Sequence, residues 1–207
     1  KDALSYNIEI KGILNGLNRG DAAFRSALLG VCGSVRNTAL LQALDRAARE
    51  ADGTVKDAAI QALAASENPE ALPCLMNLLS NTPGLTQKDI VFRGIARLAS
   101  GKDTEAALRE ETLTRALALA ERPEEKRLIL GALSGCPTLS ALKTVEAQLD
   151  TAEVAAEAAV AWGKIARELV QTHRDEISAV APKAIAAAKK AELPKAAMQP
   201  LADVRKA

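Results

Sequence analysis

Apolar residues along this chain recur at three- and four-residue spacing, the period of helices that each bury one face. The spacing predicts twelve helices, joined by short turns where Gly, Pro, Asn and Asp gather. Residues 6–13 alternate as a strand would, which sets the first helix apart from the others. The expected helices span residues 4–18, 21–34, 38–51, 54–66, 69–80, 87–100, 104–121, 124–134, 139–150, 152–171, 175–191 and 195–206.

Two apolar patterns repeat along the chain. An Ala-Leu pair near the start of one helix recurs at steps of 32, 36 and 34 residues, and an i, i+3 pair in the next helix recurs at steps of 32, 35, 35 and 29. Because a single hairpin cannot bury its own apolar face, this period indicates stacked helical hairpins. The pairs are Ala39-Leu40, Ala71-Leu72, Ala107-Leu108 and Ala141-Leu142, then Leu28/Val31, Ile60/Leu63, Ile95/Leu98, Leu130/Leu133 and Ala159/Trp162.

Residues around these pairs predict local structure. Asn68, Thr104 and Thr138 each stand three residues before an Ala-Leu pair, where a side-chain oxygen can accept a free backbone N–H as an N-cap. Gly94 directly precedes a second-helix pair, and a residue this small lets neighbouring helices approach closely. Trp162 takes the place of a leucine in its repeat, so we expect it to fill the core.

Two segments carry a resemblance to a known family. Residues 52–64 read DGTVKDAAIQALA and resemble the turn and second helix of a HEAT repeat, while residues 72–79, LPCLMNLL, resemble the matching first helix. The resemblance implies an all-α fold, a right-handed α–α superhelix (solenoid) of about six HEAT-like hairpins. We expect one domain over residues 1–207, with its best-defined repeats over 21–171. The resemblance also implies a charged ladder between repeats that includes Asp52 and Lys56.

A further segment points to a narrower group of proteins. Residues 121–134, ERPEEKRLILGALS, resemble HEAT segments of large exported multidomain bacterial proteins, in which the repeats accompany sugar-active or redox domains. This resemblance implies a periplasmic or exported protein, and without it the expectation is a cytoplasmic one. The chain begins at Lys1 without Met, which indicates either a leader that was removed or a piece of a longer protein. Of the two, we expect a fragment or module of a longer chain.

Composition narrows the classes of function. Aromatic residues make up only 2% of the chain, and the apolar 48% is mostly Ala and Leu, which favour helices. The 27 basic and 26 acidic residues leave a net charge of +1, without the basic excess expected of a protein that binds nucleic acid. No run of eighteen apolar residues occurs, so we expect no membrane span. The three cysteines form no disulfide pattern, and we expect buried free thiols at Cys32, Cys74 and Cys136.

Patterns that carry catalysis or bind metals are missing. His173 is the only histidine, too few for a zinc site, and no nucleophile is paired with it. The SxxK spacing at residues 140–143 lacks its partner motifs. Gly12, Gly16 and Gly20 lack the Lys and Ser or Thr of a phosphate-binding loop, and their spacing favours close helix packing. We therefore expect no enzyme activity, no cofactor and no metal.

Basic residues on the second helices form the one surface pattern. Second helices line the concave surface of a HEAT solenoid, where these side chains would form a groove for an acidic peptide or nucleic acid. Acidic residues stand among them, so an ordinary solvated surface remains the competing interpretation. The residues are Arg25, Lys56, Arg93, Arg97, Lys126, Arg127, Lys164 and Arg167.

These observations favour a non-catalytic scaffold or interaction module that binds a protein or peptide on its concave face. One alternative is a HEAT protein that binds or repairs nucleic acid, against which the balanced charge and few aromatics argue. The other is an accessory module beside a sugar-active or redox catalytic domain.

Overall fold

Helices account for the regular structure of residues 3–81 and 85–206, the part of the chain that the computed structural model describes. No strand occurs in these residues, which confirms the all-α prediction, and residues 82–84 of one predicted turn lie outside them. The helices are α1 Ala3–Arg19, α2 Ala22–Cys32, α3 Thr38–Glu50, α4 Gly53–Ala65, α5 Ala71–Asn81, α6 Leu85–Ala99, α7 Ala106–Leu119, α8 Pro123–Leu133, α9 Leu139–Glu146, α10 Ala155–Leu169, α11 Arg174–Lys190 and α12 Lys195–Lys206.

The first helix is regular despite its alternating sequence. Ile10 and Leu17 are buried seven residues apart, on one side of a helix, whereas exposed Ile8 would share the buried face of a strand with Ile10. Helical periodicity therefore decides the structure of residues 6–13.

Two of the three predicted N-cap residues bond the backbone that follows them. Thr138 caps α9, since its Oγ1 accepts the N–H of Ala141 at 3.1 Å. Asn68 Oδ1 accepts the N–H of Glu70 at 3.1 Å, in the turn before α5. The prediction for Thr104 is wrong, because α7 begins at Ala106 with Glu105 at its N-cap and Thr104 is buried before the helix.

The chain divides into two compact units. Unit 1, Lys1–Asp103, contains the hairpins α1/α2, α3/α4 and α5/α6. Its second helices lie side by side, with α4 packed against α2 and α6. Unit 2, Thr104–Ala207, contains the hairpins α7/α8, α9/α10 and α11/α12. The expectation of one domain over residues 1–207 stays a prediction.

Two glycines bring the second helices of unit 1 close together. A Cβ at Gly94 would lie 2.7 Å from Ala64 Cα, and a Cβ at Gly33 would lie 2.6 Å from the carbonyl oxygen of Ala62. Both neighbouring atoms belong to the backbone of α4. A side chain could rotate away from an added Cβ, but these backbone atoms cannot. The predicted close approach at Gly94 is confirmed.

The first hairpin uses glycine in the same way. A Cβ at Gly16 would lie 2.6 Å from Leu28 Cδ1, and one at Gly20 would overlap the Phe24 ring. Gly20 follows α1 and its neighbour Phe24 is four residues along the chain, so this contact belongs to the turn between the two helices. Close helix packing is confirmed at Gly16, whose neighbour Leu28 belongs to α2. It is wrong for Gly12, where nothing lies within 4 Å.

Unit 2 is built around α10, which contacts α8, α9, α11 and α12. Trp162 on α10 is fully buried, which confirms that it fills the core. Its indole Nε1 has no hydrogen-bond partner among the described residues. Gly163 next to it receives Leu201 of α12, whose Cγ would lie 3.0 Å from an added Cβ. Among the described residues, no helix combines the length and apolarity needed to cross a membrane.

Candidate partner-binding site

The second helices of each unit present one side to solvent, here named the second-helix face of that unit. In unit 1 it belongs to α2, α4 and α6, and in unit 2 to α8, α10 and α12. On α6, Arg93 and Arg97 stand exposed one turn apart among buried neighbours. On α4, Asp57 and Gln61 are exposed one turn apart. This face is therefore polar and mixed in charge.

Arg97 is held by the repeat that precedes it. Its Nη2 donates to the carbonyl oxygens of Ala64 at 2.8 Å and Ser66 at 2.5 Å. These carbonyls lie at the carboxyl end of α4, where the last C=O groups of a helix lack partners within the helix. Ser66 is buried, so water has little access to its carbonyl. Arg97 thus completes the end of α4.

Arg93 differs from Arg97 in this respect. It is exposed on the same helix and makes no ion pair or side-chain hydrogen bond among the described residues. Its guanidinium keeps its full set of donors available to a partner.

Arg25 lines a cleft of about 500 Å³ bounded by parts of α1, α2, α3 and α4. Its Nε is buried and has no hydrogen-bond partner in the described part of the chain. Arg46 lines the same cleft, but so do Glu50 and Asp52. Two cations facing two carboxylates leave the cleft without a net charge to select an anion.

Asp52 and Lys56 are the residues predicted to form a ladder between repeats. Asp52 is exposed at the N-cap of α4 and its side chain makes no capping bond. Gly53 follows at φ +56°, in the left-handed region that glycine enters readily. Lys56 is half-buried in the first turn of α4, and Lys126 is half-buried in the first turn of α8. A bridge from Asp52 or Lys56 to another repeat stays a prediction.

Successive second helices are joined by polar contacts of the residues that directly follow Lys56 and Lys126. Gln87 of α6 donates through Nε2 to Asp57 Oδ1 of α4 at 2.7 Å. In unit 2, Arg127 Nε of α8 lies 3.2 Å from Glu157 Oε1 of α10. Each contact joins residues thirty positions apart, and the two contacts occupy corresponding places seventy residues apart. We name them the inter-repeat contacts.

The second-helix face of unit 2 neutralises part of its own charge. Arg127 also donates to the Glu153 carbonyl at 2.6 Å, and Arg167 lies 3.3 Å from Glu168. Lys164 is exposed without an ion-pair partner among the described residues. It borders a narrow cleft of about 170 Å³ between α8 and α10, whose walls include Gly131, Ala156 and Val160.

Comparison with protein families gives a match within unit 1. A family model described as HEAT repeats matches residues 10–91. The match therefore confirms the family resemblance drawn from residues 52–64 and 72–79. Resemblance to exported multidomain proteins stays a prediction.

Other comparisons add less. Among the curated proteins, no sequence matches the chain. A solved structure similar to this chain is the crystal structure of an engineered protein from the Northeast Structural Genomics Consortium, at 16% identity and a TM-score of 0.49. The similarity covers 95% of this chain and 97% of that one.

A buried carboxylate orients the start of α8 beside this face. Glu125 is 4% exposed, and its Oε2 accepts the N–H groups of Glu121 at 2.9 Å and Arg122 at 3.0 Å. Its Oε1 accepts from Arg122 Nε at 2.9 Å and Nη2 at 2.7 Å. Burial alone would raise the pKa of Glu125, but the hydrogen bonds and the charge of Arg122 outweigh it and lower that pKa. Glu125 is thus an ionised structural residue.

A second ion pair joins two loops of unit 1. Arg36, between α2 and α3, lies 2.5 Å from Asp103, which follows α6. The hydrogen bond from Arg36, together with its charge, lowers the pKa of Asp103. Both side chains are exposed, so the pair positions loops rather than anchoring the core.

The three cysteines and the histidine belong to four different parts of the described fold. Cys32 and Cys136 are buried and Cys74 is half-buried, so the free thiols are confirmed and burial is complete for two of the three. Burial, reinforced by Asp45, raises the pKa of the Cys74 thiol to about 11. His173 occupies the N-cap of α11, where its backbone N–H donates to Leu169 of the preceding helix at 2.9 Å. The described residues contain no His, Cys, Asp and Glu group able to hold a metal ion.

Proposed function

We propose that this chain is a non-catalytic interaction module that binds a protein or peptide on its second-helix faces. The observation that carries the proposal is the division among the predicted basic residues. Arg97 and Arg127 donate to backbone carbonyls of neighbouring segments, whereas Arg93 and Lys164 are exposed and unpaired among the described residues. The fold uses the first two, and the second two remain available to a partner.

Arg93 and Lys164 differ in their surroundings, which bears on what each would recognise. Arg93 is exposed on α6 with its guanidinium donors unused among the described residues, so it suits a polar or acidic partner residue. Lys164 borders a cleft of about 170 Å³ whose lining includes Gly131, Ala156 and Val160, with room for one apolar side chain next to an acidic one. HEAT repeats are commonly used for protein interaction, and the match over residues 10–91 supports this use for unit 1.

Site-specific photo-crosslinking tests the proposal. A photoreactive amino acid is placed at position 93 or 164, and matched controls carry it at exposed positions 42 and 140 on the first helices α3 and α9. The chain is expressed in its native host and covalent adducts are identified by mass spectrometry. We expect the same protein partner at 93 or 164 and its absence at 42 and 140.

Affinity measurements on the purified partner then separate specific binding from proximity. We expect Arg93→Glu or Lys164→Glu to weaken binding, while Gln42→Glu, with a smaller charge change on the first-helix side, leaves it unchanged. Equal adducts from first and second helices, or affinities that Arg93→Glu and Lys164→Glu leave unaltered, would contradict the proposal.

Nucleic acid is a weaker candidate for the same faces. Arg127 and Arg167 lie beside carboxylates, which reduces the positive field that phosphates require. A duplex that binds at about 50 mM salt and is released steeply as salt rises would favour it over a protein partner.

A further inference from the structure

A groove lies between α11 and α12, and its lining includes none of the basic residues predicted to bind a partner. It consists of two adjoining cavities of about 750 and 370 Å³, which share Ile185, Lys189 and Arg205. We call it the C-terminal groove. A continuous groove of this size accepts several side chains of a bound segment.

The floor of the C-terminal groove is apolar. Ala181, Leu201 and Val204 are buried there, while Ile185 and Met198 are half-buried and line its walls. Burying apolar side chains against such a floor is favourable in proportion to the area removed from water. The shape therefore suits inserted side chains rather than a flat surface.

The rim of the groove is cationic. Arg174, Lys189 and Arg205 line it, are exposed, and make no ion pair among the described residues. None of the described residues that line either cavity is acidic, and Asp203 nearby is hydrogen-bonded to Gln199 at 2.7 Å. An apolar floor with a positive rim complements a segment that has apolar residues on one side and acidic residues at its flanks.

The sequence around the groove carries the same excess of positive charge. Residues 174–206 contain seven Lys or Arg and four Asp or Glu, a formal charge of +3. Since the whole chain has a charge of +1, the remaining residues carry −2. The positive field is therefore local to this hairpin, and it steers an acidic partner towards the groove.

We propose that the C-terminal groove binds an amphipathic helix with acidic flanks, contributed by a partner protein. Helices that dock in grooves insert apolar residues at i, i+3, i+4 and i+7, which matches an elongated apolar floor. A membrane surface fits less well, because the apolar residues lie at the bottom of a groove and not on a protruding edge. Nucleic acid would use the rim and leave the apolar floor without a role.

Three labelled peptides and the full chain test the proposal by fluorescence anisotropy at about 0.15 M salt, where screening confines charge effects to roughly 8 Å. The first peptide has Leu at i, i+3, i+4 and i+7 and Glu on both flanks. The second replaces every Glu by Lys, and the third keeps Glu but replaces every Leu by Ser. We expect saturable binding of the first peptide alone.

A neighbouring lysine supplies the matched control. Lys189→Glu reverses a charge on the rim, and we expect it to weaken binding of the first peptide roughly five- to tenfold. Lys190→Glu makes the same change in net charge, but Lys190 is exposed and lines neither cavity, so we expect less than about a twofold effect. Ala202→Trp, at an exposed position that lines the groove, should abolish binding by filling it.

Several results would overturn the proposal. They are failure of the first peptide to bind, equal binding of the first and third peptides, and equal loss on Lys189→Glu and Lys190→Glu. Binding to vesicles of phosphatidylcholine and phosphatidylserine that depends on Lys189, without peptide binding, would assign the groove to a membrane instead. Circular dichroism checks that each variant folds. Lys164→Glu changes a residue of the second-helix face of unit 2 that lines neither cavity, so it should leave peptide affinity unchanged and separate the groove from the site around Lys164.

Discussion

The bonds from Arg97 to the end of α4 can be removed without touching the core. Arg97→Met keeps most of the length of the side chain and its apolar stem while deleting both donors. The carbonyl oxygens of Ala64 and Ser66 then lose the partner that α6 supplies. Ser66 is buried, so its carbonyl does not gain full access to water in exchange.

The expected cost follows from the two bonds. A hydrogen bond to a charged group contributes about 1.5–3 kcal/mol when it is well shielded. Arg97 is exposed overall, so water competes for its guanidinium and we reduce each bond to about 0.5–1 kcal/mol. Arg97→Met should therefore lower the free energy of unfolding by about 1–2 kcal/mol, or the melting temperature by roughly 4–10 °C for a unit of this size.

Urea unfolding followed by circular dichroism measures the difference. Arg93→Met is the matched control on the same helix, and we expect it to stay within about 0.5 kcal/mol of the unchanged chain, as substitutions at exposed sites usually do. Hydrogen exchange provides a local readout, since Arg97→Met should speed exchange at the carboxyl end of α4 more than elsewhere. Equal stability of the two variants would refute the idea that Arg97 closes the preceding helix.

Three further predictions concern packing, pH and thiol reactivity. Gly94→Ala should lower the free energy of unfolding in urea by about 1–3 kcal/mol, because its Cβ meets the α4 backbone. The control Gly131→Ala has nothing within 4 Å of its Cβ and should raise that free energy by up to about 1 kcal/mol. Equal effects of the two substitutions would contradict the close approach at Gly94. Glu125→Gln should cost about 2 kcal/mol at pH 7. Because folding lowers the pKa of Glu125, its contribution to stability is present above the ordinary pKa of 4.5 and is lost as the pH falls through the pKa of the folded state. The difference in the free energy of unfolding between the two chains, measured in urea, should therefore shrink in acid. A difference that stays constant with pH would exclude this ionisation. Iodoacetamide at pH 7.5 should modify none of the three cysteines rapidly until urea is added, and fast labelling of Cys74 in the folded chain would contradict its raised pKa.

The helices could be predicted because their signals are local. Apolar spacing and turn residues lie within a few positions of the structure that they determine, and the twelve expected helices all occur in the described residues. The predicted start of α7 is wrong. Thr104 is a good capping residue by type, but it is buried one residue before Glu105, which is the N-cap. Local propensity yields there to packing.

The roles of individual basic residues could be predicted only in part. Arg93 and Arg97 stand one turn apart in the sequence pattern, yet Arg97 alone reaches another repeat. Its acceptors are backbone carbonyls, which have no sequence signal of their own. The inter-repeat contacts, unlike the bonds of Arg97, have a signal in the sequence. Their polar residues recur at a separation of thirty positions, between Asp57 and Gln87 and again between Arg127 and Glu157.

Helix α4 lies between two glycine contacts, with Gly33 against Ala62 and Gly94 against Ala64. Each glycine contact joins two residues that belong to different hairpins. A hairpin that was duplicated or exchanged during evolution would therefore keep its glycine contact only beside a neighbouring hairpin that has a small residue at the corresponding position. Repeats that look interchangeable by their apolar pattern are therefore tied to their positions in the chain. Recombination between α2 and α6 is expected to succeed only when whole groups of hairpins move together.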